Sequence, residues 1–461
     1  MKRDEATPAI AASPAQRLAR LFGVEPDELG LALAAAIAFF LVFAAYYVLR
    51  PIRDEIGAAD GIEKLPWLFT GTLVVTALVH PPFAALVARL SRQRAVTVAF
   101  RAFAASLALF WAALAFGGPG LHLWAARAFY VWTSVFNLFV VAVFWSVMAD
   151  LTGPERGKRI FALVSVGGTL GAMTGSVLTA SLVSTLGAPV LLLVSALLLE
   201  ASLRLLDRLA RRARDQGDGG ESAPAREAVD GTPLGGSALG GFAGVARSPY
   251  LWAICGYMLL FTIASTFLYF QQAAIAGTAF VDRAARTAFF AQIDLAVNAL
   301  TLGIQLFLAG RVLRWLGVGV TLALLPAVSA AGFALLALGP TLVVVAGFQV
   351  LRRAGNFALA RPTREVLYTV LTREEKYKAK HLVDTVVYRA GDQVGAWSYA
   401  GLTALGVGLS GTAWVAVPLS LVWLVLSLWL GFRHLAFVRR RSAAAANLTG
   451  GEPCPAPAEI S

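Results

Sequence analysis

Between Arg352 and Gly395 the chain reads RRAGNFALARPTREVLYTVLTREEKYKAKHLVDTVVYRAGDQVG. Arg, Asn, Glu, Lys, His and Asp crowd into a stretch that has hydrophobic segments on both sides. A charged side chain inside a bilayer costs about 2.5–3.5 kcal/mol on insertion scales, so charge placed there marks a polar path or an anion site. Arg353, Asn356 and Arg364 fall within one sector of a helix, with Arg361 at its edge. Pro362 breaks or kinks the helix beside them. Arginines grouped around a broken helix suit an anion held at mid-membrane. Further on, His381, Asp384, Tyr388 and Asp392 follow helical spacing and face one way, with Arg389 near their edge. The intervening stretch from Arg373 to Lys380 reads as a solvated loop.

A second group closes the first apolar segment: Tyr46-Tyr47-Val48-Leu49-Arg50-Pro51-Ile52-Arg53-Asp54-Glu55. Arg50 and Arg53 share a helix face, and paired arginines bind phosphate or carboxylate in bidentate fashion. Asp54 lies one turn beyond Arg50 and can pair with it. Pro51 bends the segment and frees a carbonyl. The competing reading is an interfacial anchor, with aromatic rings and arginines snorkelling. Asn137 is the best polar candidate in a segment otherwise rich in Phe and Trp. Asp294 and Asn298 sit one turn apart; Asp294 needs a cation from another segment, such as Arg50 or Arg53, unless it lies at the edge of an outer loop. Candidate substrate-binding residues are therefore Arg50, Arg53, Asn137, Arg353, Asn356, Arg361, Arg364 and Tyr388. Candidates for gating or coupling are Asp54, Asp294, Glu365, His381, Asp384 and Asp392.

The elements that carry these residues follow from composition. The chain has 461 residues, of which 58% are hydrophobic and only 14% charged; a soluble protein is nearer one-quarter charged. The reading is an all-α polytopic membrane protein. About 20 apolar residues span the hydrocarbon core. On that measure twelve spans are expected, at 29–52, 65–88, 95–117, 120–149, 158–185, 187–207, 249–276, 284–308, 318–338, 341–371, 379–408 and 411–436. With both termini on the cytoplasmic side, most of the 39 Lys and Arg fall on that side. The net charge of +12 then reflects contact with anionic lipid and not with nucleic acid.

Residues 1–28 carry acidic side chains and no short apolar core with a cleavage site, so they read as a cytoplasmic segment and not a cleaved signal. Residues 14–22 suit a short amphipathic helix on the membrane surface. Residues 208–248 are rich in Gly, Ser, Pro and charge and read as a flexible linker between a six-helix half at 29–207 and another at 249–436. Residues 437–461 read as a cytoplasmic tail. The halves resemble each other at an offset of 220 residues: Leu151-Thr152 matches Leu371-Thr372, Glu155 matches Glu375, Lys158 matches Lys378, Gly171 matches Gly391 and Gly175 matches Gly395. Two six-helix halves with a parallel repeat are the plan of the major facilitator fold. Gly167, Gly168, Gly171 and Gly175 form a small-residue face suited to close helix packing. Cys255 and Cys454 have no metal-ligand spacing, and no phosphate-cradling loop, HExxH or Cys/His set is present. Neither catalysis nor a cofactor is expected.

Three motifs resemble the ATP/ADP translocase family, the nucleotide transport proteins of plastids and intracellular bacteria. They are Arg53-Asp54 within VLRPIRD; Phe144-Trp145, Ala149-Asp150 and Lys158-Arg159-Ile160-Phe161; and the run Pro362-Thr363-Arg364-Glu365, Tyr368, Leu371, Lys376, Lys378, Lys380, Asp384, Arg389 and Gly391. Arg53 and Arg364 replace lysines of that pattern, Ala379 replaces a glycine, and Asp392 replaces a lysine. No acidic residue lies between Leu121 and Ala149, where the family's characterised exchangers use one. The resemblance implies a transporter of nucleotide or another organic anion. A monomer in a bacterial inner membrane is expected. The leading expectation is nucleotide exchange by alternating access. A proton-coupled or facilitative carrier of a smaller organic anion is the first alternative, and a non-transporting receptor or scaffold the second.

Overall fold

Every regular element in the computed structural model is helical among the described residues, which are 25–26, 28–90, 92–215 and 248–449. A chain this apolar can satisfy its backbone in hydrocarbon only by hydrogen-bonding within each helix. The helices are α1 (Leu29–Ala59), α2 (Leu65–Arg89), α3 (Arg92–Phe116), α4 (Pro119–Leu186), α5 (Ala188–Asp215), α6 (Pro249–Ala279), α7 (Arg283–Phe307), α8 (Ala309–Leu338), α9 (Leu342–Gly355), α10 (Arg361–Leu367), α11 (Arg373–Leu382), α12 (Tyr388–Ala404) and α13 (Leu409–Thr449). Among the described residues, ten helical segments are long and apolar enough to cross a membrane. The expected spans 65–88 and 379–408 are helical but not among the ten. α2 carries Pro81 and Pro82, and the other stretch begins inside the charged α11 and passes through a π-helical turn.

Several expected breaks are absent. Residues 150–157 read as a loop yet stay helical, so α4 runs from Pro119 to Leu186. It still reverses, because Trp145 and Phe161 have ring centroids 5.0 Å apart. Sixteen residues of straight helix would separate them by about 24 Å. Residues 208–215 continue α5 instead of opening the linker, because Leu209 is still buried and keeps the helix docked. The linker from 216 to 247, the proposed amphipathic helix at 14–22 and residues 450–461 lie outside the described residues. The expected tail begins as helix, since α13 continues to Thr449. The stretch from Arg373 to Lys380, read as a loop, is helix α11, started by a Thr372–Glu375 capping box.

The chain divides into two compact units. The first comprises residues 1–53, 74–228 and 287–294; the second comprises 54–73, 229–286 and 295–461. In the first, α3 packs on α4 and α5, and the second limb of α4 packs on α1. A Cβ on Gly171 would overlap the Phe40 carbonyl. Hydroxyls of Ser195 and Ser202 cross-link the same α1 by donating to Ala45 O and Ala38 O, at 3.0 Å each. In the second unit, α6 packs on α9, α12 and α13, and α8 packs on α9 and α13. Here Gly391 takes the place of Gly171: a Cβ on it would overlap Thr262 and sit 3.3 Å from Leu259 O on α6. The 220-residue offset thus pairs glycines that each admit the first helix of their own unit.

Gly391→Val should therefore lower the thermal unfolding temperature of the detergent-purified protein, because overpacking costs about 1–3 kcal/mol. Gly347→Val, at a site with open space around its Cβ position, is the control. Equal unfolding temperatures for the two variants would contradict the close-packing role.

Candidate functional site

The end of α1 in the first unit is built from two arginines and an aromatic ring. The Arg53 guanidinium lies 4.3 Å from the centroid of the fully buried Tyr130 ring, a cation–π contact worth up to about 2 kcal/mol once water is excluded. Arg50 lies over Tyr47 at 5.6 Å and reaches Asp294, with Nη1 3.6 Å from Oδ1. Asp294 is 1% exposed, so it sits inside α7 and not at a loop edge. Of the two arginines its sequence context nominated, Arg50 is an observed partner. Asn137 is half-buried on α4, two turns from Tyr130 and on the same face.

The last turn of α1 belongs to the second unit. Tyr269 Oη donates to Asp54 Oδ1 at 3.1 Å. Beside it, Glu55 is 3% exposed and holds two cations: Arg283 Nε at 3.2 Å and Arg286 Nη2 at 3.4 Å. Arg286 is itself buried. Sequence reasoning missed this triad. Its one available signal was that three charges flank the ends of apolar segments, a pattern shared by ordinary loop charges.

Around Pro362 the helix does not simply kink. Residues Asn356–Ala360 form a π-helical turn, with Arg361 N–H donating to Asn356 O. The extra residue turns the following face by about 100°. The expected sector of Arg353, Asn356 and Arg364 is broken by it: Asn356 and Arg353 are half-buried and Arg361 is exposed. The arginine that enters the core is Arg352, which sequence reasoning passed over in favour of its neighbour. It is 3% exposed. Nε donates to Ser329 Oγ at 3.1 Å, and Nη2 to Phe261 O at 3.0 Å and Ser265 Oγ at 2.9 Å. Its guanidinium also lies 5.3 Å from the Phe261 ring. A residue count one position back along α9 would have found it only if the inward face were known.

Arg364 has weaker company. Its side chain is 11% exposed. Nη1 points at the thioether of Met258, 2.7 Å away, and Nη2 lies 3.8 Å from Asp384 Oδ1. Nε is buried with no hydrogen-bond partner among the described residues. A thioether is a weak acceptor, and 3.8 Å is beyond hydrogen-bond reach. This largely buried guanidinium therefore keeps donor capacity for an anion. Asp384 is 38% exposed. A second π-helical turn at Val383–Val387 breaks the expected common face of His381, Asp384, Tyr388 and Asp392 for the same geometric reason. Tyr388 is half-buried with its ring 6.5 Å from Phe261. Asp392 pairs along its own helix with Arg389 at 3.7 Å, and Glu365 takes Lys380 at 2.6 Å. The side chains of His381 and Lys158 lie outside the described residues.

Arg159, part of one sequence motif, serves a structural clamp in the first unit. It donates to both carboxylate oxygens of buried Glu28, from Nε at 3.1 Å and Nη2 at 2.6 Å. The hydrogen bonds from Arg159 hold the Glu28 carboxyl below its usual 4.5. No group of metal-ligating side chains occurs among the described residues.

These elements define a polytopic helical membrane protein with ionised side chains inside its bundle. Residues 11–376 match the family model of the Major Facilitator Superfamily, and the chain belongs to that superfamily. It is a secondary membrane transporter. The chain is 24% identical to ADP,ATP carrier protein 1 of Chlamydia muridarum, covering 96% of each chain. It is also 24% identical to ADP,ATP carrier protein 1 of Chlamydia pneumoniae, covering 89% of this chain and 91% of that one. Among solved structures, a POT family transporter in complex with 5-aminolevulinic acid gives a TM-score of 0.58 at 11% identity, covering 87% of this chain and 96% of that one. A variant of the nucleoside transporter NupG gives 0.57 at 15% identity, covering 88% and 99%. The resemblance read from the sequence motifs and these carriers agree.

A carboxyl with a depressed folded pKa contributes stability that is present above its unfolded value and lost as pH falls through the folded value. Thermal unfolding of wild type should thus lose a contribution below about pH 4.5 that Glu28→Gln lacks throughout. Parallel pH profiles for the two proteins would show that the clamp carries no such stability.

Proposed function

We propose that this transporter exchanges anionic nucleotides by alternating access, with twelve spans in two six-helix halves. The linker at 208–248 would then reduce to its central part, from residue 216 onward. Both termini lie on the cytoplasmic side of a bacterial inner membrane, where the positive-inside distribution puts them. The working unit is a monomer in the lipid bilayer. It has no nucleic-acid partner, and it moves its substrate without cleaving it.

The observation that carries the substrate class is Arg364. A largely buried guanidinium with a thioether and a distant carboxylate for company favours a phosphate, which it can hold with two parallel charge-assisted hydrogen bonds. The ADP,ATP carriers with which the chain aligns along nearly its whole length support nucleotide over other anions. Within the second unit, Tyr388 offers an aromatic face beside Arg364, and Arg353 and Asn356 flank the π-helical turn. In the first unit, Arg50, Arg53 and Asn137 are the candidate contacts to substrate. In this reading Arg361, which is exposed, contributes charge at the entrance rather than a direct contact. The Arg50–Asp294 pair and the Glu55–Arg283–Arg286 triad act as gates that open and close with the cycle. Asp384 competes with substrate for Arg364. Asp54, Glu365 and Asp392 hold their own partners and act on coupling through them, together with His381.

A second reading keeps the site and changes the cargo. Asp384 is partly exposed beside a buried cation, which suits proton-coupled movement of a smaller organic anion. The two are separated in proteoliposomes. Internal ADP should accelerate uptake of labelled ATP several-fold with no proton gradient, and Arg364→Ala should lower that rate about 10- to 100-fold, since a charge-assisted contact contributes about 1.5–3 kcal/mol. Uptake of a small organic anion that a protonophore abolishes, with no nucleotide exchange, would establish the second reading. Wild-type exchange in Arg364→Ala would remove Arg364 from the site in either case.

A further inference from the structure

The first unit carries a groove lined by none of the residues proposed to bind or gate the cargo. It lies between the start of α3 and the end of α5, with a volume of about 770 Å³, and is lined by Leu90, Gln93, Arg94, Thr97, Asp207 and Arg211, with Val98 beside them. The two helices run antiparallel there: Arg101 lies 4.0 Å from Glu200, and two turns further on Arg94 falls beside Asp207, with Arg211 one turn beyond. The groove sits at the charged ends of α3 and α5, two helices long and apolar enough to cross a membrane. Charge at the end of an apolar helix belongs at headgroup level.

Charge at this place is one-sided. Arg94 and Arg211 are exposed, and neither has a carboxylate within ion-pair distance among the described residues. Arg204, Arg208 and Arg212 are exposed along the same end of α5; of these, Arg204 pairs with Glu200 at 3.0 Å. Asp207 is the single acid on the groove wall. Toward the membrane interior the surface turns apolar, with Val98 and Leu197 both exposed. Cations at the headgroup level over an apolar wall match one class of ligand, a molecule with a phosphate at one end and acyl chains at the other. A free phosphate or nucleotide would leave that wall unused.

We infer that the groove between α3 and α5 is a binding site for an anionic phospholipid, with its headgroup phosphate between Arg94 and Arg211 and its chains along Val98. Asp207 sets the affinity from the opposite direction, by opposing the anion. The occupant is structural and distinct from the cargo, so the inference stands whichever substrate the carrier moves.

The test uses the full-length protein in detergent, with phosphatidylglycerol or phosphatidylcholine added and retained lipid counted by native mass spectrometry. Wild type should retain phosphatidylglycerol over phosphatidylcholine, and the double variant Arg94→Gln/Arg211→Gln should lose that preference by on the order of ten-fold. Asp207→Asn should strengthen it, which no general loss of folding can mimic. Arg439→Gln/Arg440→Gln, on α13, should leave it unchanged. Equal retention of the two lipids by wild type would overturn the assignment. So would an unchanged preference in the Arg94/Arg211 variant, weakened binding in Asp207→Asn, or displacement of the lipid by millimolar inorganic phosphate.

Discussion

Hydrocarbon offers no water to a polar group, so each ionised side chain inside this bundle needs a partner from the protein or from a ligand. That constraint sorts the arginines. Arg352 is held by two hydroxyls and a carbonyl. Arg53 covers an aromatic ring, Arg50 reaches Asp294, Arg159 grips Glu28, and Arg283 and Arg286 share Glu55. Arg364 alone among these is set against a sulfur and a carboxylate 3.8 Å away. A cation is retained in so poor a setting when something else completes it, and the proposed partner here is cargo. The ion pairs at the end of α1 matter for a different reason. Removing one partner of a buried pair costs about 3–5 kcal/mol because the other charge is stranded, so such pairs can hold a state firmly and still separate when a new partner arrives.

The packing that surrounds these charges repeats. Gly171 lets α4 close on α1, and Gly391 lets α12 close on α6. Close approach of small residues substitutes for the hydrophobic drive that is missing between helices in lipid. The hydroxyls of Ser195 and Ser202 then tie α1 to α5 through backbone carbonyls. Each unit acquires a stiff frame, and the deviations from regular helix are confined to a few places. Two of these are π-helical turns: the one at 356–360 comes just before the segment that holds Arg364, and the one at 383–387 contains Asp384. Such turns concentrate at functional positions because they expose backbone carbonyls and re-aim side chains.

Much of this was legible in the residues. Apolar run lengths located nearly every helix, and the shared order of Leu-Thr, Glu and Gly between the halves located the glycine contacts. Asp294 was read as needing a cation such as Arg50 or Arg53 unless it lay at a loop edge, and Arg50 is an observed partner. A face drawn on an ideal α-helix is wrong after a π-turn, so the sector that joined Arg353 and Asn356 to Arg364 was broken. Arg352 lies before that turn, and its burial was hidden because spacing alone does not say which side of α9 faces inward. Loop assignments failed at 150–157, 208–215 and 373–380, because charge does not interrupt a helix that emerges from the membrane. The Glu55 triad was hidden because its members sit at segment ends, where charge is ordinary.

The central claim is that Arg364 completes its hydrogen bonding with a phosphate of the cargo. Calorimetric titration of the purified protein with ADP tests it most directly, using wild type, Arg364→Lys and Arg364→Ala. Affinity should fall by about 10- to 100-fold in Arg364→Ala, and Arg364→Lys should recover part of it, because the charge returns without the bidentate geometry. Undiminished ADP binding by correctly folded Arg364→Ala would contradict the account.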